Sequence, residues 1–132
     1  MITEDYVSYE TAKLLKKSGF DSNEISCINV FKGHTYKIQD TVIDADEDVT
    51  IPTIQLAMKW LREVHHLFIA IHPRLSFTDY YWITADIYRV KRKSSLYHAE
   101  DVDDYHCIAC CDETSFENAG RTAIKYCLEN LI

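Results

Sequence analysis

Three five-residue segments frame this 132-residue chain: "SYETA" (8–12), "TIQLA" (53–57) and "SFENA" (115–119). Each reads hydroxyl residue, bulky apolar residue, Glu or Gln, any residue, Ala. A Ser or Thr hydroxyl accepts from the free N–H groups of a first helical turn, and an acid there suits the helix dipole. Three helices are therefore expected, near the start, in the middle and at the end. Capping chemistry explains the recurrence without an internal repeat.

The first helix is predicted from about Ser8 to Ser18, with Val7, Ala12, Leu14 and Leu15 on its apolar side. Gly19 followed by Phe20 reads as a helix stop: glycine takes the left-handed conformation and the next apolar residue folds back. The second helix follows Pro52, a residue favoured where helices begin. Ile54, Ala57, Met58, Trp60, Leu61 and Val64 form its expected buried stripe. The third is predicted from Ser115 to Leu131, where Phe116, Ala119, Ala123, Ile124, Cys127, Leu128 and Leu131 recur at three- and four-residue steps. Thr114 and Glu117 have the spacing of a reciprocal capping box.

Strand patterns lie between the helices. "ISCINVF" (25–31) and "TYKIQ" (35–39) read as a hairpin with Gly33 in its turn. "LFIAIHP" (67–73) and "YYWITADIYRV" (80–90) alternate at period two, and "YHCIACC" (105–111) closes the set. The predicted class is α+β with the order α-β-β-α-β-β-β-α. Short connections favour a mostly antiparallel sheet with the helices packed on one face. At this length, with 47% hydrophobic residues, one domain spanning 1–132 is expected.

Charge narrows the functional classes. The formal charge is −7, which argues against nucleic acid or an anionic membrane as a partner. Residues 40–48 hold five acids (Asp40, Asp44, Asp46, Glu47, Asp48), and the one basic cluster is Arg89, Lys91, Arg92 and Lys93. No apolar run approaches the ~18 residues of a membrane span. The polar start "MITEDYVSYE" has no signal-peptide core. Five cysteines (27, 107, 110, 111 and 127), an odd number, read as reduced thiols. The expected setting is cytoplasmic.

"YHCIACC" is the most chemically suggestive stretch. In an extended strand His106 and Cys110 share one face, and Cys107 and Cys111 share the other, each pair about 13 Å apart. Zinc with bonds near ~2.3 Å cannot join them. The stretch therefore reads as a strand with apolar thiols. "DADED" (44–48) begins like a calcium loop, but the turn position is Val49 and the distal acid position is Gln55, so it reads as a solvated loop. "HH" (65–66) ends the second helix, where cationic histidine is favourable. The three glycines are not clustered, so no phosphate loop forms, and there is no nucleophile elbow or HExxH pattern. No catalytic residue, metal ligand or cofactor is assigned.

The open sheet face is the better lead. Ile83, Ala85 and Ile87, with Leu67, Ile69 and Ile71, are expected to face the helices. Trp82, Thr84, Asp86 and Tyr88, with Phe68, Ala70 and His72, then face outward. Trp82, Asp86, Tyr88, Phe68 and His72 are the candidate binding residues, because amphipathic aromatics are enriched at binding surfaces. The alternative is that the first helix or the acidic loop covers this face.

"DYVSYETAKLLKKSGF", "PTIQLAMKWLREVHHLFIAI" and "SFENAGRTAIKYCLENLI" together resemble a family of small proteins encoded by gut Bacteroidales genomes and their phage-like mobile elements. The likeness covers roughly half of the chain and the order of its landmarks; 40–50 and 94–112 look like variable insertions. It implies a cytoplasmic bacterial or phage accessory protein and carries over no catalytic residue.

The leading expectation is a non-enzymatic interaction module that binds an unidentified protein or a second copy of itself. One alternative is nucleic-acid binding, since residues 53–132 have the α-β-β-β-α order of double-stranded-RNA-binding domains. Against it, the third helix begins in "DETSFEN", where such domains place lysines. Another is a small enzyme using Cys110 or Cys111 with His106 or His72.

Overall fold

The computed structural model describes residues 5–22, 24–75, 81–90, 102–110 and 115–132. Along these the order is α1 (Tyr9–Lys17), β1 (Ile28–Val30), β2 (Thr35–Ile38), β3 (Thr41–Asp44), β4 (Val49–Ile51), α2 (Ile54–His65), β5 (Leu67–Leu75), β6 (Tyr81–Val90), β7 (Val102–Cys110) and α3 (Phe116–Asn130). The class is α+β and the strand pairs are antiparallel. The chain, read above as one domain, clusters into two compact units, Met1–Ile54 and Gln55–Ile132.

In the first unit Ser8 caps α1, its hydroxyl accepting from Thr11 N at 3.1 Å. The helix stops as the sequence predicts. Gly19 sits at φ +100°, its N–H donates to Lys16 O, and Phe20 N–H donates to Leu15 O. Phe20 folds back and is buried. Ala12 and Leu15 bury the inner side of α1, which packs against β4.

The hairpin is different from the one expected. β1 does not pair with β2. It pairs with β4, Ile28 opposite Ile51 and Val30 opposite Val49, while β2 pairs with β3 across a two-residue loop, Gln39–Asp40. Gly33 does turn the chain, at φ +89°, but the turn leads into a new ladder that continues through Gly33 N–H to Ala45 O and Ala45 N–H to His34 O. The cause lies in 41–44, "TVID". Its acidic surroundings read as loop, yet Thr41, Val42 and Ile43 are β-branched and Ile43 is buried. Two strands, β3 and β4, are thereby added to the expected order.

In the second unit β5, β6 and β7 form one sheet in that order. Pro73 lies in β5, an edge strand, where its missing N–H is tolerated. α3 packs on β5 and β6. Its buried residues, Ala119, Gly120, Ala123, Ile124, Cys127 and Leu128, follow the predicted three- and four-residue steps, and Ser115 caps it by accepting from Asn118 N. Small residues at 119, 120 and 123 let the helix approach the strands closely; Ile83 and Ala119 pack together with Ile71. Phe116, expected in that stripe, is half exposed. In α2, Ile54, Ala57 and Leu61 are buried, but Val64 is 54% exposed. The helical step from Leu61 reaches His65 instead.

Candidate functional site

Register fixes what the two sheet faces carry. Ile83, Ala85 and Ile87 on the central strand are buried on the side of α3. His106, opposite Ile87, belongs to that side too: its ring lies 5.6 Å from Tyr126 of α3, and its Nδ1 lies 3.4 Å from the phenol oxygen. The other face carries Phe68 directly opposite Tyr88, both half-buried; on the third strand the backbone of Tyr105 is in register with Tyr88.

One row further along this face the chemistry becomes polar. His72 Nε2 lies 2.5 Å from Asp86 Oδ2, and the Thr84 hydroxyl donates to His72 O at 3.3 Å. The His72 side chain is 41% exposed, whereas that of Asp86 is 9% exposed. Asp86 was expected to face outward, and its pairing with His72 agrees with that direction. It is buried, as is Thr84 at 0%. Central-strand residues are flanked on both sides, so short side chains sink between longer ones. A carboxylate at that depth requires a donor, and the imidazole N–H supplies one. Asp86 therefore supports His72 from beneath. Phe68, His72 and Tyr88 are half-buried, and Ala70, between Phe68 and His72 along β5, is exposed. Trp82 belongs to β6, in register with Arg74, but its side chain lies outside the described residues.

The strand geometry also answers the sulfur-rich stretch. Residues 102–110 are extended and laddered to β6, so His106 and Cys110 stand about 13 Å apart along the strand. His72 and His106 lie on opposite faces, and β6 separates β5 from β7, about 10 Å strand to strand. Among the described residues no three His, Cys, Asp or Glu gather as a metal site. Cys111, Thr114, His98 and Lys91–Lys93 lie outside the described residues. Cys127 is fully buried, and burial pushes its thiol up to about 12, so it is not a nucleophile at neutral pH.

The acidic segment is engaged with the protein itself. The Tyr9 phenol donates to Asp46 Oδ1 and accepts from Asp46 N at 3.0 Å, and Lys13 Nζ lies 3.4 Å from both carboxylate oxygens. The Tyr9 hydrogen bond, followed by Lys13, holds Asp46 below the usual carboxylate range. Asp48 Oδ1 accepts from Lys32 N, and Asp44 Oδ1 from the Thr35 hydroxyl. These acids hold the turn between β3 and β4. Sequence spacing does not show this, because Tyr9 and Asp46 are 37 residues apart.

His65 also departs from expectation. Burial, then the charges of Arg89 and His66, push its imidazole below the ordinary histidine value, so the neutral form is favoured at this helix end. The stripe position after Leu61 was the signal that could have found it. Comparison with protein-family models, with curated proteins and with solved structures finds no match.

Proposed function

We propose that this chain is a non-enzymatic protein-interaction module whose contact surface is the outer face of the β5–β6–β7 sheet. The observation that carries the reading is the row of Phe68 and Tyr88 beside a half-exposed His72, on the face opposite the helix-covered core. Rigid aromatic side chains supply contact area at low entropic cost, and the Asp86 support fixes His72 in one orientation. Trp82 follows Tyr81 in β6, one residue before the buried Ile83. The occupant is a protein partner or a second copy, and the setting is the cytoplasm of a bacterium bearing a phage-like element.

Replacing Trp82 and Tyr88 together by Ala is expected to abolish association while circular dichroism stays unchanged. Light scattering reads self-association, and capture with the tagged chain reads a partner. Unchanged mass together with unchanged capture refutes the reading.

The nucleic-acid alternative draws on one feature, the α2-β5-β6-β7-α3 order of the second unit. Against it stand Phe116 and Glu117 in the first turn of α3 and the net charge of −7. A gel shift at low salt that weakens as salt rises would favour it, and no shift at low salt ends it.

A further inference from the structure

We propose that His65 is an acid-responsive latch: a proton taken up by its imidazole loosens the last turn of α2 from the end of the β5–β6–β7 sheet.

Four observations meet at this residue. Its position is the last on the buried stripe Ile54–Ala57–Leu61, where an apolar side chain would satisfy the pattern. Its Nε2 is buried and has no hydrogen-bond partner among the described residues. Its ring meets Trp60 edge-on, the centroids 4.8 Å apart at 69°. The guanidinium of Arg89 reaches it with a like charge and is itself tied down, donating to the carbonyl of Leu131 at the end of α3.

Neutral imidazole tolerates this environment at the cost of one unmade hydrogen bond. The imidazolium does not. Both ring nitrogens become obligatory donors, so buried Nε2–H would need an acceptor that the described residues do not offer. The new charge would sit near Arg89, which is fixed by its helix-capping bond and cannot swing away without releasing Leu131. Among the described residues, the charged groups that reach His65 are Arg89 of β6 and His66 of its own segment, and both oppose the proton. From α3, the Cys127 thiol lies in the field of the same Arg89 and stays neutral.

The joint is built to yield locally. His66 follows at φ +58°, a left-handed conformation costly for a side chain, and its carbonyl accepts from Val90 N at 3.0 Å. That bond connects the helix end to the end of β6. Opening the last turn of α2 would hydrate His65 and relax His66 in one step.

Trp60 reports the event, because an imidazolium in edge contact quenches indole emission. The chain has two tryptophans, so Trp82→Phe isolates Trp60. Emission in that background is expected to fall reversibly between about pH 8 and about pH 5, and His65→Gln is expected to flatten the curve. An identical curve with His65→Gln overturns the proposal. Two measurements on the unsubstituted chain decide the matter even if that variant fails to fold. The imidazole resonances of His65 should titrate with a midpoint below 6.5, and a midpoint at or above 6.5 overturns it. Amide exchange in the last turn of α2, corrected for its intrinsic pH dependence, should report opening that grows by up to about tenfold per pH unit below the ordinary histidine value. Opening that stays constant over that range, relative to α3, overturns it as well.

Discussion

At Gly19 and at His66 the backbone takes positive φ, +100° and +58°, and the two positions call for opposite substitutions. Gly19 follows the C-cap of α1, where its N–H and that of Phe20 satisfy the carbonyls of Lys16 and Leu15. A methyl group there meets no neighbour within 4 Å, so the cost of Gly19→Ala is conformational alone, about 1–2 kcal/mol of lost stability by urea unfolding. His66 takes the equivalent position after α2 with a full side chain. His66→Gly removes a penalty of ~1–2 kcal/mol and adds ~0.4–1 kcal/mol of unfolded-state entropy, so it should stabilise by up to about 1.6 kcal/mol. The first position was legible because Ser-Gly-Phe carries the residue type that left-handed backbone prefers. The second was hidden because histidine at a helix end has a separate electrostatic rationale, which drew attention to charge and away from φ. For Asp86 the direction was legible and the depth was not. Alternation gives the direction of a side chain and says nothing of what stands on either side of it.

Among the elements, the helices were read almost to the residue because their signals are local. Ser8 and Ser115 each accept from the N–H three residues on, so the cap and its partner lie within one turn of sequence. Ser8→Ala and Ser115→Ala should each cost about 1 kcal/mol, measured by chemical unfolding, and Thr should restore most of it at either site. The middle segment, "TIQLA", also opens a helix, α2. Thr53 is buried in a bridge to Tyr6, and the first N–H of α2 is satisfied by the carbonyl of Asp5. Strand pairing was the least legible level. β1 finds its partner in β4, some twenty residues on, because Val30, Val49 and Ile51 bury together against the side of α1. That choice is made by burial across a loop, and the intervening acids hid the strand in 41–44. β5, β6 and β7 escaped this problem because each is long, alternating and next to its partner in sequence.

For the molecule as a whole, the displaced titrations combine into a stability profile with two flanks. On the acid side, His65 is held below its ordinary value of 6.5, so the unfolded chain takes up its proton first and stability declines as pH falls below 6.5. The decline levels off once the folded imidazole is protonated as well. A second decline follows as pH drops from the ordinary carboxylate value of 3.8 through the lower folded value of Asp46, whose bond to Tyr9 and pairing with Lys13 are then lost. On the alkaline side the sign reverses. Cys127 keeps its proton to about 12 when folded but loses it near 9.0 when unfolded, so stability falls between those values by roughly 1.4 kcal/mol per pH unit at most. Melting temperatures should therefore be highest between the histidine and thiol flanks. Burial also raises the Cys27 thiol and, with the Asp46 hydrogen bond, the Tyr9 phenol, and Asp46 raises Lys13, so these groups share the alkaline flank with Cys127, whereas the acid steps can be removed separately. His65→Gln should erase the first acid step and leave the second. Tyr9→Phe should shrink the second and leave the first. Cys127→Ala should make the alkaline flank shallower at the cost of a small cavity, so its slope against pH, rather than its absolute melting temperature, is the quantity to compare. A wild-type profile already declining between pH 7 and about pH 8 would assign the alkaline flank to some group other than this thiol, because an unfolded thiol with a value of 9.0 keeps most of its proton up to about pH 8.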